Sequence, residues 1–304
     1  MTDQSLSRRA FLGHAAGVAA AALALPHIAS AASTPEPAKS GPWQIGCYTR
    51  PWAGQDWRVA FDAVAEAGYK HVGLMTTKAP GGLVISVATT IEEAKQVGEE
   101  AKKRGLGIPS VYGGDIPAAK SLEAGIEGLR KLIDNCAAAG ATNLMMGGVG
   151  KPELQAVYYK AVAECCDYAA AKGSGISVKP HGGLNSTGPQ CRKIIEQVGH
   201  KNFRLWYDPG NIFFYSDGQL DPVADAATVD GIVVGMSVKD FLPPKDVNVT
   251  PGTGTVNFAA VLARLKAGGF TQGALVVETL APGDEAKTLD EAKKARRFLE
   301  QLIG

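Results

Sequence analysis

The residues with the most chemistry to offer fall in four short stretches of the C-terminal half. They are Lys179-Pro180-His181-Gly182-Gly183, Tyr207-Asp208-Pro209-Gly210-Asn211, Ser237-Val238-Lys239-Asp240 and Val277-Glu278-Thr279. Each brings an ionisable side chain to the end of an apolar run. Two carboxylates, two amines and an imidazole gathered in one place could hold a divalent cation, move a proton or stabilise an oxyanion. Any one of these residues is equally well explained as half of an internal ion pair. All five together are not, because burying several charges without a use for them costs free energy.

Histidine placement sharpens this. Outside the N-terminal segment the chain has His71, His181 and His200. His71 begins one apolar run and His200 precedes another, which places both at the starts of strands and gives them structural roles. Only His181 follows a strand, in a turn where Gly182 and Gly183 let backbone come close to a ligand.

Such positions require elements that deliver them to a common face. From residue 44 onward eight short apolar runs alternate with eight amphipathic stretches. The runs are Gln44–Thr49, His71–Met75, Gly107–Tyr112, Asn143–Gly147, Ile176–His181, Phe203–Asp208, Ile232–Lys239 and Ala274–Glu278. Between them Val59, Ala60, Ala63, Val64 and Ala67 share one helical face, as do Ile126, Leu129, Ile133 and Cys136. Thr90-x-x-Glu93 and Thr288-x-x-Glu291 read as capping boxes, and Gly68, Gly105, Gly140, Gly173, Gly199 and Gly268 close helices. Strict alternation of strand and helix predicts a parallel sheet, and eight units predict a single-domain (β/α)8 TIM barrel over residues 44–304. No GxGxxG follows the first run, so a dinucleotide-binding sheet has no support.

In such a barrel the chemistry sits at the C-terminal ends of the strands. Alternation of period two then sorts the side chains. Ile176, Val178, Leu205, Tyr207, Met236, Val238, Leu275 and Val277 should face the helices. Ser177, Lys179, His181, Trp206, Asp208, Ser237, Lys239 and Glu278 should face inward. Asn211 sits just beyond Asp208. Tyr48, Trp52 and Trp57 surround the first loop and Tyr112 ends the third strand, so aromatic stacking on a ligand or plain packing would suit them equally.

The first 31 residues are expected to be a twin-arginine signal peptide. Ser7-Arg8-Arg9-Ala10-Phe11-Leu12 precedes the apolar run Ala15 to Leu25, which is too short to span a bilayer, and Ala29-Ser30-Ala31 offers a cleavage site. Residues 32–43 read as a flexible leader. The expected partner here is the bacterial twin-arginine export machinery, and the expected location the periplasm, without membrane insertion after cleavage. Without Asp3, Arg8 and Arg9 the basic and acidic residues number 29 each. A neutral surface gives no electrostatic reason to bind nucleic acid. The five cysteines, Cys47, Cys136, Cys165, Cys166 and Cys191, lack metal-site spacing and read as buried thiols.

At the four charged motifs, together with Pro251-Gly252-Thr253-Gly254 and Asn257-Phe258, the chain resembles the xylose isomerase-like barrel superfamily. That superfamily includes sugar epimerases, inosose dehydratases and endonuclease IV repair nucleases. The resemblance implies a small sugar as substrate. It also implies one divalent metal held by a glutamate, an aspartate, a histidine and a glutamate at the ends of the fifth to eighth strands. Asp208 and Glu278 match that set, but Lys179 stands at the first glutamate and Ser237 at the histidine. Two accounts of the departure are open. In the first, His181 joins Asp208 and Glu278 around manganese, zinc or cobalt, with Asn211 or water completing the site. In the second, the Lys179 ammonium takes the metal's electrostatic role.

The working expectation is a sugar isomerase or epimerase with Glu278, Lys179 and His181 catalytic. Lys239, Asn211, Trp52 and Tyr112 would bind substrate, and His181, Asp208 and Glu278 would hold a metal. The rivals are a keto-sugar dehydratase or lyase using Lys179, and a non-catalytic carbohydrate-binding barrel with a degenerate metal site. A nuclease is disfavoured by the neutral charge and the missing metal histidines.

Overall fold

A computed structural model describes residues 43–304; the expected signal peptide and all of the leader but Trp43 lie outside the described residues. Eight strands alternate with the helices that cover them. The strands are β1 (Gln44–Tyr48), β2 (His71–Gly73), β3 (Val111–Tyr112), β4 (Asn143–Met146), β5 (Gly175–Val178), β6 (Phe203–Tyr207), β7 (Val233–Val238) and β8 (Ala274–Val277). The helices are α1 (Trp57–Glu66), α2 (Ile91–Lys103), α3 (Leu122–Ala138), α4 (Gln155–Ala171), α5 (Gly188–Val198), α6 (Pro209–Tyr215), α7 (Pro222–Ala226), α8 (Phe258–Ala267) and α9 (Glu285–Ile303). All pairings between neighbouring strands are parallel, in the order β2-β1-β8-β7-β6-β5-β4-β3. The remaining seam between β2 and β3 is bridged at His71–Gly107 and Leu74–Val111, so the barrel is nearly closed. The expected third strand shrinks to two residues; Pro109, which has no N–H to give, stands in the middle of its run.

Alternation along the strands divides the apolar side chains into two cores. Ile176, Val178, Leu205, Tyr207, Met236, Val238, Leu275 and Val277 pack outward against the helices, as the sequence predicts. Tyr48, Met75, Met145, Trp206, Ala274 and Val276 fill the barrel itself. Tyr48 therefore belongs to the interior, where its hydroxyl donates to Ser110 Oγ at 2.9 Å. The Trp206 ring needs space that a β-carbon would remove: one built on Gly235 would lie 2.3 Å from that ring. Trp52, expected to bind substrate, is buried in the outer core instead.

Helix starts follow side-chain chemistry closely. Thr90 and Glu93 form the expected capping box, Thr187 and Gln190 form another, and Asp56, Ser121 and Asn257 cap their helices. The expected box at Thr288 is corrected. Helix α9 begins a turn earlier on Asp284, whose side chain accepts from Lys287 N, and Thr288 lies within the helix. Pro282-Gly283 ends the preceding loop there, so Asp284 is the first residue able to cap. All five cysteines are free and buried. Among the described residues no helix is long and apolar enough to cross a membrane.

Candidate active site

Lys179, Asp208, Lys239 and Glu278 are each the first residue after a strand, following β5, β6, β7 and β8 respectively. The barrel thus brings four charges from four consecutive strands to its C-terminal mouth, and all four are buried. Lys179 Nζ lies 2.8 Å from Asp208 Oδ2 and 2.7 Å from Glu278 Oε2. Lys239 Nζ lies 3.3 Å from Asp208 Oδ2 and 2.5 Å from Glu278 Oε1. Both ammonium groups therefore bridge both carboxylates.

The array is fixed from the side. Asp208 caps α6, its Oδ1 accepting from Asn211 N at 2.9 Å. The Asn211 amide donates to Pro180 O at 2.6 Å and accepts from Lys239 Nζ at 3.0 Å, tying β5, α6 and β7 together. Gly210 permits this closeness, since a β-carbon there would lie 2.6 Å from Lys239 O. The neighbouring Asp240 is turned to a structural task. Its carboxylate accepts backbone N–H groups from Phe241, Gly252, Gly254 and Val256 at 2.8–3.0 Å, folding the β7–α8 loop onto the barrel.

Sequence reasoning missed Arg50. It lies in the 3-10 turn Arg50–Trp52 after β1, and its Nη1 donates to Glu278 Oε1 at 2.8 Å. Three cations thus contact two carboxylates. Burial works against charge on Glu278, but Lys179, Lys239 and Arg50 more than offset it and hold its carboxyl well below the usual range. Burial likewise opposes charge on Lys179, yet Asp208 and Glu278 outweigh it and raise its pKa. For Lys239 burial wins, with the two carboxylates compensating only partly, and its pKa is lowered. Lys179 is accordingly fixed as an ammonium with no lone pair to offer, which leaves it poorly suited to the base or Schiff-base role of the lyase expectation.

His181 is carried away from the carboxylates. Pro180 and the left-handed Gly182 (φ 87°) end the strand alternation, so the ring stands exposed at the mouth between Tyr112 and Tyr215. Both ring-centroid separations are 6.1 Å. Desolvation within the concave mouth, and then the Lys179 ammonium, push the imidazole pKa down to about 4, so it is neutral at pH 7. Tyr112 is where the sequence places it, at the end of β3; Tyr215, at the end of α6, had no signal in the linear pattern.

The donor set does not fit a divalent ion. A metal needs lone pairs, whereas the two carboxylates are bridged by ammonium N–H groups. Among the described residues no group of three or more His, Cys, Asp or Glu side chains is placed to hold one. The expected trio of His181, Asp208 and Glu278 is therefore not assembled, because Pro180 and Gly182 turn His181 outward. Ser237, at the expected histidine position, is buried with an unpartnered hydroxyl. The other histidines among the described residues are structural: His71 Nδ1 meets Ile45 O at 3.3 Å, and His200 Nε2 pairs with Asp167 at 3.0 Å.

Comparison with known proteins agrees with this architecture. Residues 61–302 match the xylose isomerase-like TIM barrel family. A probable L-ribulose-5-phosphate 3-epimerase UlaE of Mycoplasma pneumoniae is 29% identical over 116 residues, which span 37% of this chain and 37% of that protein. Solved structures share the fold at low identity. A xylose isomerase domain protein from Planctomyces limnophilus superposes with TM-score 0.66 at 20% identity, over 86% of this chain and 98% of that one. D-psicose 3-epimerase with D-tagatose from Clostridium cellulolyticum H10 gives 0.69 at 14%, over 86% and 99%. A xylose isomerase-like TIM barrel protein from Mycobacterium smegmatis, in complex with magnesium, gives 0.68 at 17%, over 86% and 96%. The chain belongs to the xylose isomerase-like TIM barrel family.

Proposed function

We propose that this protein is a sugar isomerase or epimerase that moves a proton at the carbon beside a carbonyl, at a centre charged by lysine in place of a metal. The observation that carries the reading is the buried array in which Lys179 and Lys239 bridge Asp208 and Glu278 at 2.5–3.3 Å, beneath an imidazole that is neutral at pH 7. Relatives described as sugar 3-epimerases support the substrate class. The twin-arginine segment adds the proposal that the enzyme works in the periplasm.

In this reading neutral His181 accepts the proton, since its imidazole offers a lone pair at the solvent-facing mouth. Removing that proton from a ketose leaves an enediolate. Lys239, whose ammonium is already aimed by Glu278 and Asn211, stabilises the developing oxyanion. Glu278 is a poor proton acceptor while three cations hold it ionised; its part is to orient them. Tyr112 and Tyr215 wall the space beside the imidazole. Return of the proton to the opposite face gives an epimer, and to the adjacent carbon an isomer.

The test is exchange of solvent deuterium into a panel of ketopentoses and ketohexoses, followed by NMR. We expect exchange with at least one sugar, undiminished by EDTA, and lost by about 10²-fold or more in His181→Gln. Full EDTA sensitivity restored by manganese, zinc or cobalt would refute the lysine-charged centre. A second reading, a non-catalytic sugar-binding barrel, draws on the fact that the four buried charges satisfy one another without a ligand. Sugars that bind but never exchange would select it.

A further inference from the structure

Beside the buried array lies a cavity of about 190 Å³ between the 3-10 turn after β1 and the loop after β8. Arg50, Asn248, Glu278 and Thr279 supply its polar wall. We propose that this cavity binds the carboxylate of an acidic sugar, so that the substrate is a sugar acid; this rests on the sugar-enzyme reading above.

Charge balance is the first argument. Among the described residues the only charged partners of Arg50, Lys179 and Lys239 are Asp208 and Glu278, which leaves one positive charge in excess. A single monoanion would make the array neutral. Donor geometry is the second. Arg50 uses Nη1 on Glu278, while Nε and Nη2 have no protein acceptor among the described residues, and the side chain is 36% exposed. A guanidinium with one edge free matches a planar carboxylate. The third is Thr279, which lines the cavity and is 3% exposed, with a hydroxyl that has no partner. A buried hydroxyl in that state costs free energy unless a ligand completes it.

The same wall argues against a dianion. Arg50 is the only cation among the residues lining the cavity, and the Glu278 carboxylate shares it. A phosphate would leave the array negative and face that carboxylate across a small space. Arg50 thus reads as the residue that selects the substrate's charge, separate from the proton chemistry at His181.

The experiment compares three probes that differ at one carbon: D-fructuronate, D-fructose and D-fructose 6-phosphate. Their affinities are measured by calorimetry on wild type, Arg50→Gln and Arg50→Lys, with thermal melts to confirm folding. A charged hydrogen-bonded contact predicts at least about tenfold tighter binding of the uronate than of the neutral sugar. Arg50→Gln should remove that preference, and Arg50→Lys should restore part of it. Equal affinity for uronate and fructose, or tightest binding of the phosphate, overturns the proposal. If a neutral ketose exchanges deuterium without any preference for acid, the carboxylate site fails and the proposed function stands. If the uronate binds through Arg50 and nothing exchanges, the proposed function fails and the carboxylate site stands.

Discussion

The two halves of the barrel place different kinds of residue at the mouth. After β5, β6, β7 and β8 come Lys179, Asp208, Lys239 and Glu278, whereas β2, β3 and β4 are followed by Leu74, Gly113 and Gly147. The strands differ too. Those of the charged half run four to six residues, their pairing interrupted by one register shift between β6 and β7 at Leu205/Trp206, while β2 and β3 have three and two and meet only through isolated bridges. Buried charges must be held within a few tenths of an ångström of their partners, and a rigid ladder does that. Glycine and apolar strand ends make no such demand, and they leave open space beside the charged wall.

The sharpest way to break this comparison is to remove one polar group from each kind of wall. Lys179→Met leaves two buried carboxylates short of a partner and should cost about 3–5 kcal/mol in urea unfolding. Tyr112→Phe, on the other half, should change stability by less than about 1 kcal/mol. Similar losses at both positions would show that the halves are energetically alike.

Acid should act on the charged half first. The folded Glu278 carboxyl is held below its unfolded value of about 4.3, so it binds its proton more weakly when folded. Its contribution is present above that value and is lost as pH falls through the folded pKa, below about pH 4. Stability measured against pH should therefore decline more gently on the acid side in Glu278→Gln than in wild type. Parallel curves would remove Glu278 from the account.

Asp240 lies beside Lys239 in sequence but serves the loop, and Asp240→Asn should cost about 2 kcal/mol by weakening its charged hydrogen bonds. Proteolysis within residues 250–256 should accelerate in the same variant. A surface cap offers a yardstick for the scale: Thr90→Ala should cost about 1 kcal/mol, read by thermal melting. His181 carries the smallest folding energy because it is exposed. Its ring C–H shifts in NMR should titrate with a midpoint near pH 4; a midpoint near 6.5 would place the imidazole in open solvent rather than in the concave mouth.

Much of this was legible along the chain. Apolar alternation told Leu205 from Trp206, because a strand has a period of two whatever lies around it. The same rule put Lys179, Asp208, Lys239 and Glu278 on one mouth. It failed where the strand stopped. Pro180 and Gly182 release His181 from the alternation, and Arg50 and Tyr215 belong to a turn and a helix end that no periodicity governs. Arg50, two residues past the end of β1 in the run Tyr48-Thr49-Arg50, carries a usable signal only if loop residues next to strand ends are weighed with them. Trp52, expected to bind substrate, packs in the outer core, because aromatic character alone does not say which side of a short turn a ring will take.

The sequence by itself determined the order of elements and the parallel (β/α)8 architecture, since these follow from local periodicity, caps and turn chemistry, while the family resemblance rested on the charged motifs at the strand ends. It also determined that lysine and serine stand at two positions where relatives of this kind are expected to hold a metal. Only the tertiary structure decided what those lysines do. Whether an ammonium points at a carboxylate or a histidine swings to meet it depends on contacts between residues far apart in the chain, here 99 positions between Lys179 and Glu278 and 228 between Arg50 and Glu278. Electrostatic partners at such separations leave no periodic trace, because they are set by where eight strand ends converge.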